Sequence, residues 1–353
     1  MQRKESRMRT KKALVAIAVA ALSLLSWSAG RAQETQEPAT DKPVSVSSAA
    51  SKAFMGRWDL TLKGPDRDYP SWLELHEKDG EVYAWFTGRW GNARPLPKVD
   101  FTPGHVTFVS PKEEESTKTD VVFSGALKGG TLSGTIAGMN GSTWKWTGVR
   151  APKLTRPKTP PEWGDPIPLF DGKDLAGWHM SSPGQPAWTV EDGNLVTPGN
   201  GPELISDAKF QDFKLHVEFN CGVNANSGVY LRGRYEVQIE TESQNEPASH
   251  HTGGVYGFIA PTPELERQPD VWQTFDITLI GRRVTVVQNG RAVISDREIP
   301  GITGGAVDSH EAEPGPIYLQ GSEKGHVKFR KIVITPAKPP GTDDEKTDQP
   351  DKK

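Results

Sequence analysis

The chain has 353 residues with 36 Gly, 29 Pro, 11 Trp, a formal charge of −3 and one cysteine. The small net charge excludes a broad basic nucleic-acid groove or an anionic lipid surface as the partner, and the lone Cys221 excludes an intrachain disulfide, so packing must hold the fold. Abundant turn formers and few long helical periodicities exclude a helix bundle and predict an all-β chain.

In chain order, residues 1–32 read as a signal peptide. Arg3, Lys4, Arg7, Arg9, Lys11 and Lys12 precede an apolar run, Ala13 to Leu25, that is too short to span a bilayer, with small residues before Ala29 and Ala32. The expected location is periplasmic or secreted, with no stable membrane insertion after cleavage. Residues 33–53, rich in Ser, Ala, Thr and Pro, predict a disordered leader. From 54 to 150, short alternating runs such as Glu81-Val82-Tyr83-Ala84-Trp85-Phe86 are punctuated by Lys78-Asp79-Gly80 and Asn140-Gly141, which predicts a small all-β meander or barrel-like domain. Its opening Gly56-Arg57-Trp58 and closing Thr147-Gly148 are similar to lipocalin-like up-and-down barrels. Trp85, Trp90 and Trp144 read as core and rim packing in preference to the lining of a ligand cup. A Pro-rich linker is expected at 151–164, a larger β domain at 165–336, and a disordered tail at 337–353.

The densest chemistry lies in Gly228 to Glu240. Read as one alternating strand, it puts Val229, Leu231, Val237 and Ile239 on an apolar face. The other face gathers Tyr230, Arg232, Arg234, Glu236, Gln238 and Glu240, which suits a sugar groove; solvated Arg/Glu cross-strand pairs are the plainer alternative. Glu236 and Glu240 are candidate proton-transfer groups, and Tyr230, Arg232, Arg234 and Gln238 candidate substrate contacts. Histidine suits proton transfer near neutral pH. His179 follows Trp178, and His250 and His251 precede Gly253-Gly254-Val255-Tyr256-Gly257, so His179 and His250 join the catalytic candidates and His251 and Tyr256 the binding candidates. Gly301-Ile302-Thr303-Gly304-Gly305 lacks the strand-to-helix context of a phosphate loop and reads as a flexible loop. No zinc-type spacing occurs. No cofactor is required by any motif, a divalent cation is compatible with the carboxylates, and the metal, if any, is unknown.

The order of runs from Pro168-Leu169-Phe170-Asp171-Gly172 and Gly177-Trp178, through Trp188-Thr189-Val190-Glu191-Asp192-Gly193, to Val327-Lys328-Phe329-Arg330-Lys331-Ile332 resembles the 3-keto-disaccharide hydrolase family. That resemblance implies a concanavalin A-like jelly-roll sandwich over 165–336, a carbohydrate partner, and action on glycosides whose sugar carries a ketone at C3. A ketone there acidifies the C2 proton, so removing it and holding the enolate expels the aglycone. The resemblance implies a base near C2, with the Arg pair offered to the enolate oxygen. The rival readings are a non-catalytic, lectin-like carbohydrate-binding module and an interaction protein built of two β domains.

Overall fold

The structure, a computed structural model, describes residues 42–182, 188–197, 199–241, 246–322 and 325–339. The expected signal peptide and residues 340–353 of the expected tail lie outside the described residues.

The first sheet has ten strands, running in space Ser45–Val46, Glu81–Thr87, Asp68–Lys78, Gly56–Lys63, Ser142–Arg150, Thr131–Met139, Val121–Lys128, His105–Ser110 and Val99–Thr102. Arg94–Pro95 pairs with Glu81–Thr87, while Val99–Thr102 just after it pairs with His105–Ser110, so one short segment touches both ends of the ribbon and nearly closes a barrel. The interior is filled. Phe108 stacks on Phe123 at 4.5 Å, with Phe86 and Trp146 packed around them. Residues expected in a disordered leader instead form the strand Ser45–Val46 and the short helix Ala49–Lys52, whose capping box runs between Ser48 and Ser51. The polar composition of that stretch concealed a cap, and Ser51 is fully buried.

The second unit is a two-sheet sandwich. One sheet of eight strands is ordered Thr189–Glu191, Asn194–Val196, Val327–Pro336, Phe213–Cys221, Trp272–Ile280, Arg283–Gln288 and Arg291–Glu298, with Ile167–Phe170 joined to Val327–Pro336. The other, of five strands, runs Trp178–Met180, Leu204–Phe210, Gly315–Leu319, Asn226–Leu231 and Tyr235–Glu240. All pairings are antiparallel. Leu215, Val217, Phe275 and Phe329 from the first and Leu204, Leu319, Val229 and Val237 from the second share one core. This is the jelly roll that the sequence predicts.

The described residues of the barrel and the sandwich belong to one compact unit. Trp72 and Ala93 of the barrel sheet are buried in the sandwich core, and Trp72 meets Phe258 edge-on at 5.4 Å. The segment expected as a linker is pinned at its start, because the Ala151 amide donates to the Arg57 carbonyl and the Arg282 amide to that of Leu154. Among the described residues no helix is long and apolar enough to cross a membrane.

A buried carboxyl pair ties the two parts together. Asp59 of the barrel is 3% exposed and hydrogen-bonds Glu311 of the sandwich, which is 1% exposed and accepts from Tyr235 Oη at 2.6 Å and from Arg282 Nη1 at 3.3 Å. Two carboxyls in hydrogen-bond contact need a shared proton, and desolvation with the Glu311 charge beside it pushes Asp59 up to about 9 from its ordinary 3.8. Folded Asp59 therefore keeps a proton that the unfolded chain has released. The stability this contributes is complete below pH 3.8 and is lost progressively as pH rises toward about 9. Asp59→Asn, which carries its hydrogen at every pH, is expected to gain melting temperature relative to the parent steadily over that window in a pH series of thermal melts; a constant difference would contradict the shared proton.

Candidate active site

One row of cross-strand neighbours crosses the five-stranded sheet. His179 pairs with Ile205, Ile205 with Tyr318, Tyr318 with Tyr230 and Tyr230 with Glu236. Paired residues share a face, and the adjacent row Leu204, Leu319, Val229 and Val237 is wholly buried in the core, so the His179-to-Glu236 row faces the opposite, open side.

Residues 228–240 are two strands, not one. The chain turns at Arg232-Gly233, both at positive φ (54° and 65°), and the Arg234 amide closes the turn onto the Leu231 carbonyl at 3.1 Å. These are the angles of a type I′ hairpin turn, in which Gly233 adopts the left-handed region freely. Three residues separate Leu231 from its partner Tyr235, so the face alternation resumes in step and Tyr230, Glu236, Gln238 and Glu240 stay on the polar face. Arg232 and Arg234 do not. They are 0% and 1% exposed in the turn: Arg232 donates to Tyr235 Oη and the Gly281 carbonyl, and Arg234 to Asp308 at 2.7 Å and the Glu313 carbonyl. The expectation that this Arg pair lines the groove is corrected, because the turn spends the Arg232 guanidinium on Tyr235 and the Gly281 carbonyl and that of Arg234 on the Asp308 carboxylate and the Glu313 carbonyl.

The cleft over the end of the row, about 160 Å³, has Tyr230, Glu236 and Gln238 as its floor. Asn226, Gln320 and Tyr256 line its sides, and Trp90-Gly91 of the barrel and Gly304-Gly305 complete the wall. Glu236 is 2% exposed, and its Oε2 lies 2.9 Å from Tyr230 Oη, which also donates to the Gly304 carbonyl at 2.8 Å. With its amide turned so that nitrogen faces acceptors, Gln238 donates to Glu236 Oε1 and to the Ser227 carbonyl, each at 3.2 Å. Gly228 makes room for this arrangement. A Cβ there would lie 2.3 Å from Glu236 Oε1, so the carboxylate lies across the neighbouring backbone only because that residue is glycine. Tyr230 stacks on Tyr318 at 4.2 Å; burial and the neighbouring Glu236 drive the Tyr230 phenol well above its ordinary range, and burial and Glu203 do the same to Tyr318.

The remaining candidates lie elsewhere. Tyr256 lines the cleft, and its amide donates to the Glu236 carbonyl, while His250 stacks on Tyr256 at 4.2 Å and does not line it. His250 Nδ1 meets Glu246 at 3.1 Å, its Nε2 is buried without a hydrogen bond, and burial lowers its pKa. His251 pairs with Glu264 at 2.9 Å beside a separate surface hollow, and Glu240 is held by Arg267 at 3.1 Å. His179 sits at the far end of the row, its Nδ1 2.7 Å from Asp207, in a second hollow described below. Among the described residues no three His, Cys, Asp or Glu side chains converge as metal ligands.

Sequence reasoning missed Tyr318, Gln320 and the Gly304-Gly305 wall. Tyr318 alternates with Ile317 and Leu319, a signal present in the sequence; the wall is a loop contact with no periodic signature.

Residues 165–335, just under half of the chain, match the family model described as the 3-keto-alpha-glucoside-1,2-lyase-like domain, so the resemblance read from the strand order holds for these residues. A curated 3-keto-disaccharide hydrolase of Bacteroides thetaiotaomicron is 30% identical over 91 residues, 23% of this chain and 31% of that protein. The chain thus spans about a third of the length of the curated relative it matches. Among solved structures, a candidate glycosyl hydrolase from Parabacteroides distasonis is 32% identical, with a TM-score of 0.42 over 48% of this chain and 83% of that one. A second from the same organism is 19% identical, with a TM-score of 0.40 over 49% and 94%.

Because Arg234 sits in the turn and not in the groove, Arg234→Met is expected to cost about 2–3 kcal/mol of stability by stranding Asp308. Sugar binding per folded molecule should stay unchanged. Urea denaturation and calorimetric titration read the two quantities, and lost binding at unchanged stability would return Arg234 to the site.

Proposed function

We propose that the protein is an exported enzyme that cleaves 3-keto-glycosides, 3-keto-disaccharides among them, by removing the C2 proton, holding the resulting enolate and releasing the aglycone. The observation that carries this reading is that Glu236 is the one carboxylate among the described residues lining the smaller cleft. Ordinary glycosidases place two carboxyls about 5–9.5 Å apart across C1. The other carboxylates on this face lie farther apart than that: Glu240, held by Arg267, lies four residues along the same strand, and Glu203 leaves the backbone beside a strand three places away, about 13–14 Å from Glu236 at the usual strand dimensions. Glu203 is also engaged by Ser181 and Tyr318. A lone buried carboxylate suits a reaction whose first demand is a single base. The family match over 165–335 supports the substrate class, and the signal-like segment at 1–32 supports export.

The chemistry runs as follows. Glu236 takes the C2 proton, and the C–H electron pair becomes the C2–C3 enolate, stabilised by the ketone oxygen. The enolate then re-forms the ketone, its electrons make the C1–C2 double bond as the C1–O bond breaks, and the aglycone oxygen leaves with the proton that Glu236 took, which frees the base. Addition of water across that bond completes net hydrolysis. The neutral amides of Asn226 and Gln320 line the cleft beside the carboxylate and are the donors available to the C3 oxygen in place of the arginines, Gln238 being spent on Glu236 and the Ser227 carbonyl. Tyr230 serves the base. Its hydroxyl has one proton and faces two oxygens, so when that proton points to the Gly304 carbonyl, a lone pair is left to accept a hydrogen bond from the protonated Glu236 carboxyl.

Glu236→Gln keeps the shape and both hydrogen-bonding positions but cannot accept a proton. It is expected to lower kcat on a 3-keto-glucoside by about 10²–10⁴-fold, the usual contribution of a general base, with the melting temperature little changed. Retention of more than a tenth of parental kcat would remove Glu236 from the reaction. Binding of sugar by the parent with no product from any keto or plain glycoside would make the protein a lectin.

A further inference from the structure

Beside the cleft over Glu236 lies a second hollow of about 260 Å³ on the same open face. The two share Trp90 and Gly305, and the stacked pair Tyr230 and Tyr318 runs beneath both, Tyr230 under the first and Tyr318 under the second. The wall between them is therefore shared by Gly305 and by Trp90, a residue of the barrel that lies outside residues 165–335.

Trp90 is built to be a wall. It is 42% exposed, yet it is clamped edge-on by Tyr69 at 5.6 Å, and the Arg67 guanidinium lies 5.3 Å from its ring centre and 4.8 Å from that of Tyr69. Its backbone is seated where only glycine fits. A Cβ on Gly304 would lie 2.1 Å from the Gly91 carbonyl oxygen, and one on Gly257 2.6 Å from Asn92 Cβ. Holding a large apolar ring exposed between two hollows costs hydrophobic burial, which is recovered when a ligand ring covers it. The second hollow supplies the polar partners such a ring needs: His179, Glu203 and Arg67 line it, with Ser181 donating to Glu203.

We propose that this second hollow is a subsite for the second sugar ring of a disaccharide-sized substrate, whose apolar face rests on Trp90 while its hydroxyls meet Glu203, His179 and Arg67. The inference rests on the reading above only for the reaction at the first ring. The barrel is then part of the binding site, and a substrate spans both β units.

The test uses the full chain and Trp90→Ala with two probes, methyl 3-keto-glucoside and a 3-keto-disaccharide. Catalytic efficiency on the disaccharide is expected to fall about 10- to 100-fold, the scale of a lost tryptophan anchor, chiefly through KM. Trp90 also walls the first cleft, so efficiency on the methyl glycoside is expected to fall as well but by a clearly smaller factor, and Trp90→Tyr should restore most of both losses. Equal losses on both probes, or no loss on either, overturn the subsite and leave the reaction standing. Saturation-transfer NMR with an unoxidised disaccharide supplies a readout independent of turnover. Saturation of second-ring protons that disappears in Trp90→Ala supports the subsite even where neither probe is turned over, an outcome that overturns the reaction alone. Saturation that persists unchanged in the variant overturns the subsite.

Discussion

A carboxylate at 2% exposure survives only if the protein replaces the water it has lost, and the site is organised around that need at Glu236. Tyr230 and Gln238 each reach one of its oxygens from the same face of the sheet, and Gly228 leaves the gap across which the side chain lies. The consequences spread outward. Tyr230 is fixed by stacking on Tyr318 and by the Gly304 carbonyl, which draws the 301–305 loop over the groove, and that loop closes against the barrel at Gly91. The loop that sequence alone reads as flexible is thus held at both ends, with the Thr303 amide bonded to the Arg234 carbonyl and the Gly305 amide to that of Arg89.

The same logic explains why the barrel is inseparable from the groove. Its interior is packed with stacked aromatics, and what it contributes to the groove is its outer surface. Trp72 enters the sandwich core, Asp59 shares a proton with Glu311, and Trp90 stands between two hollows. Each contact uses a different kind of force: apolar burial, a carboxyl–carboxyl hydrogen bond, and an exposed ring clamped by a cation. Glu311 in turn accepts from Tyr235, whose ring lies 5.2 Å from the Arg232 guanidinium, so the docking network ends at the turn of the hairpin that carries Glu236.

Much of this was legible in the sequence because alternation is a statement about faces. Tyr230, Glu236 and Gln238 share a side whether 228–240 is one strand or two, since a turn leaving three residues between Leu231 and Tyr235 preserves parity. The arginines were misjudged for the same reason. Arg-Gly is a weaker turn signal than Asn-Gly or Asp-Gly, and an unbroken alternation hid a left-handed Arg232 that sends its side chain under the sheet. The histidines illustrate a different limit. His250 and His251 were placed at the groove rim by their loop, but which side of a loop faces inward depends on Glu246 and Glu264, partners that no periodic pattern reports. Trp90 reads in the sequence as packing in preference to a ligand-cup residue of the barrel, and its place beside the sandwich groove is hidden because its partners, Gly304 and Gly305, lie more than two hundred residues away in the chain. Contacts between separately folded β units leave no signature in either one.

The account stands on proton abstraction from C2 of the keto sugar by a base in the cleft. Turnover of a 3-keto-glycoside in deuterated water tests this directly, because a proton removed at C2 and replaced during hydration comes from solvent, whereas displacement at C1 never breaks that bond. The account predicts one deuterium at C2 of the released sugar, measured by mass spectrometry and NMR in product quenched before the free keto sugar exchanges by itself. Product carrying only hydrogen at C2, formed as rapidly from glycosides that lack the ketone, would contradict it.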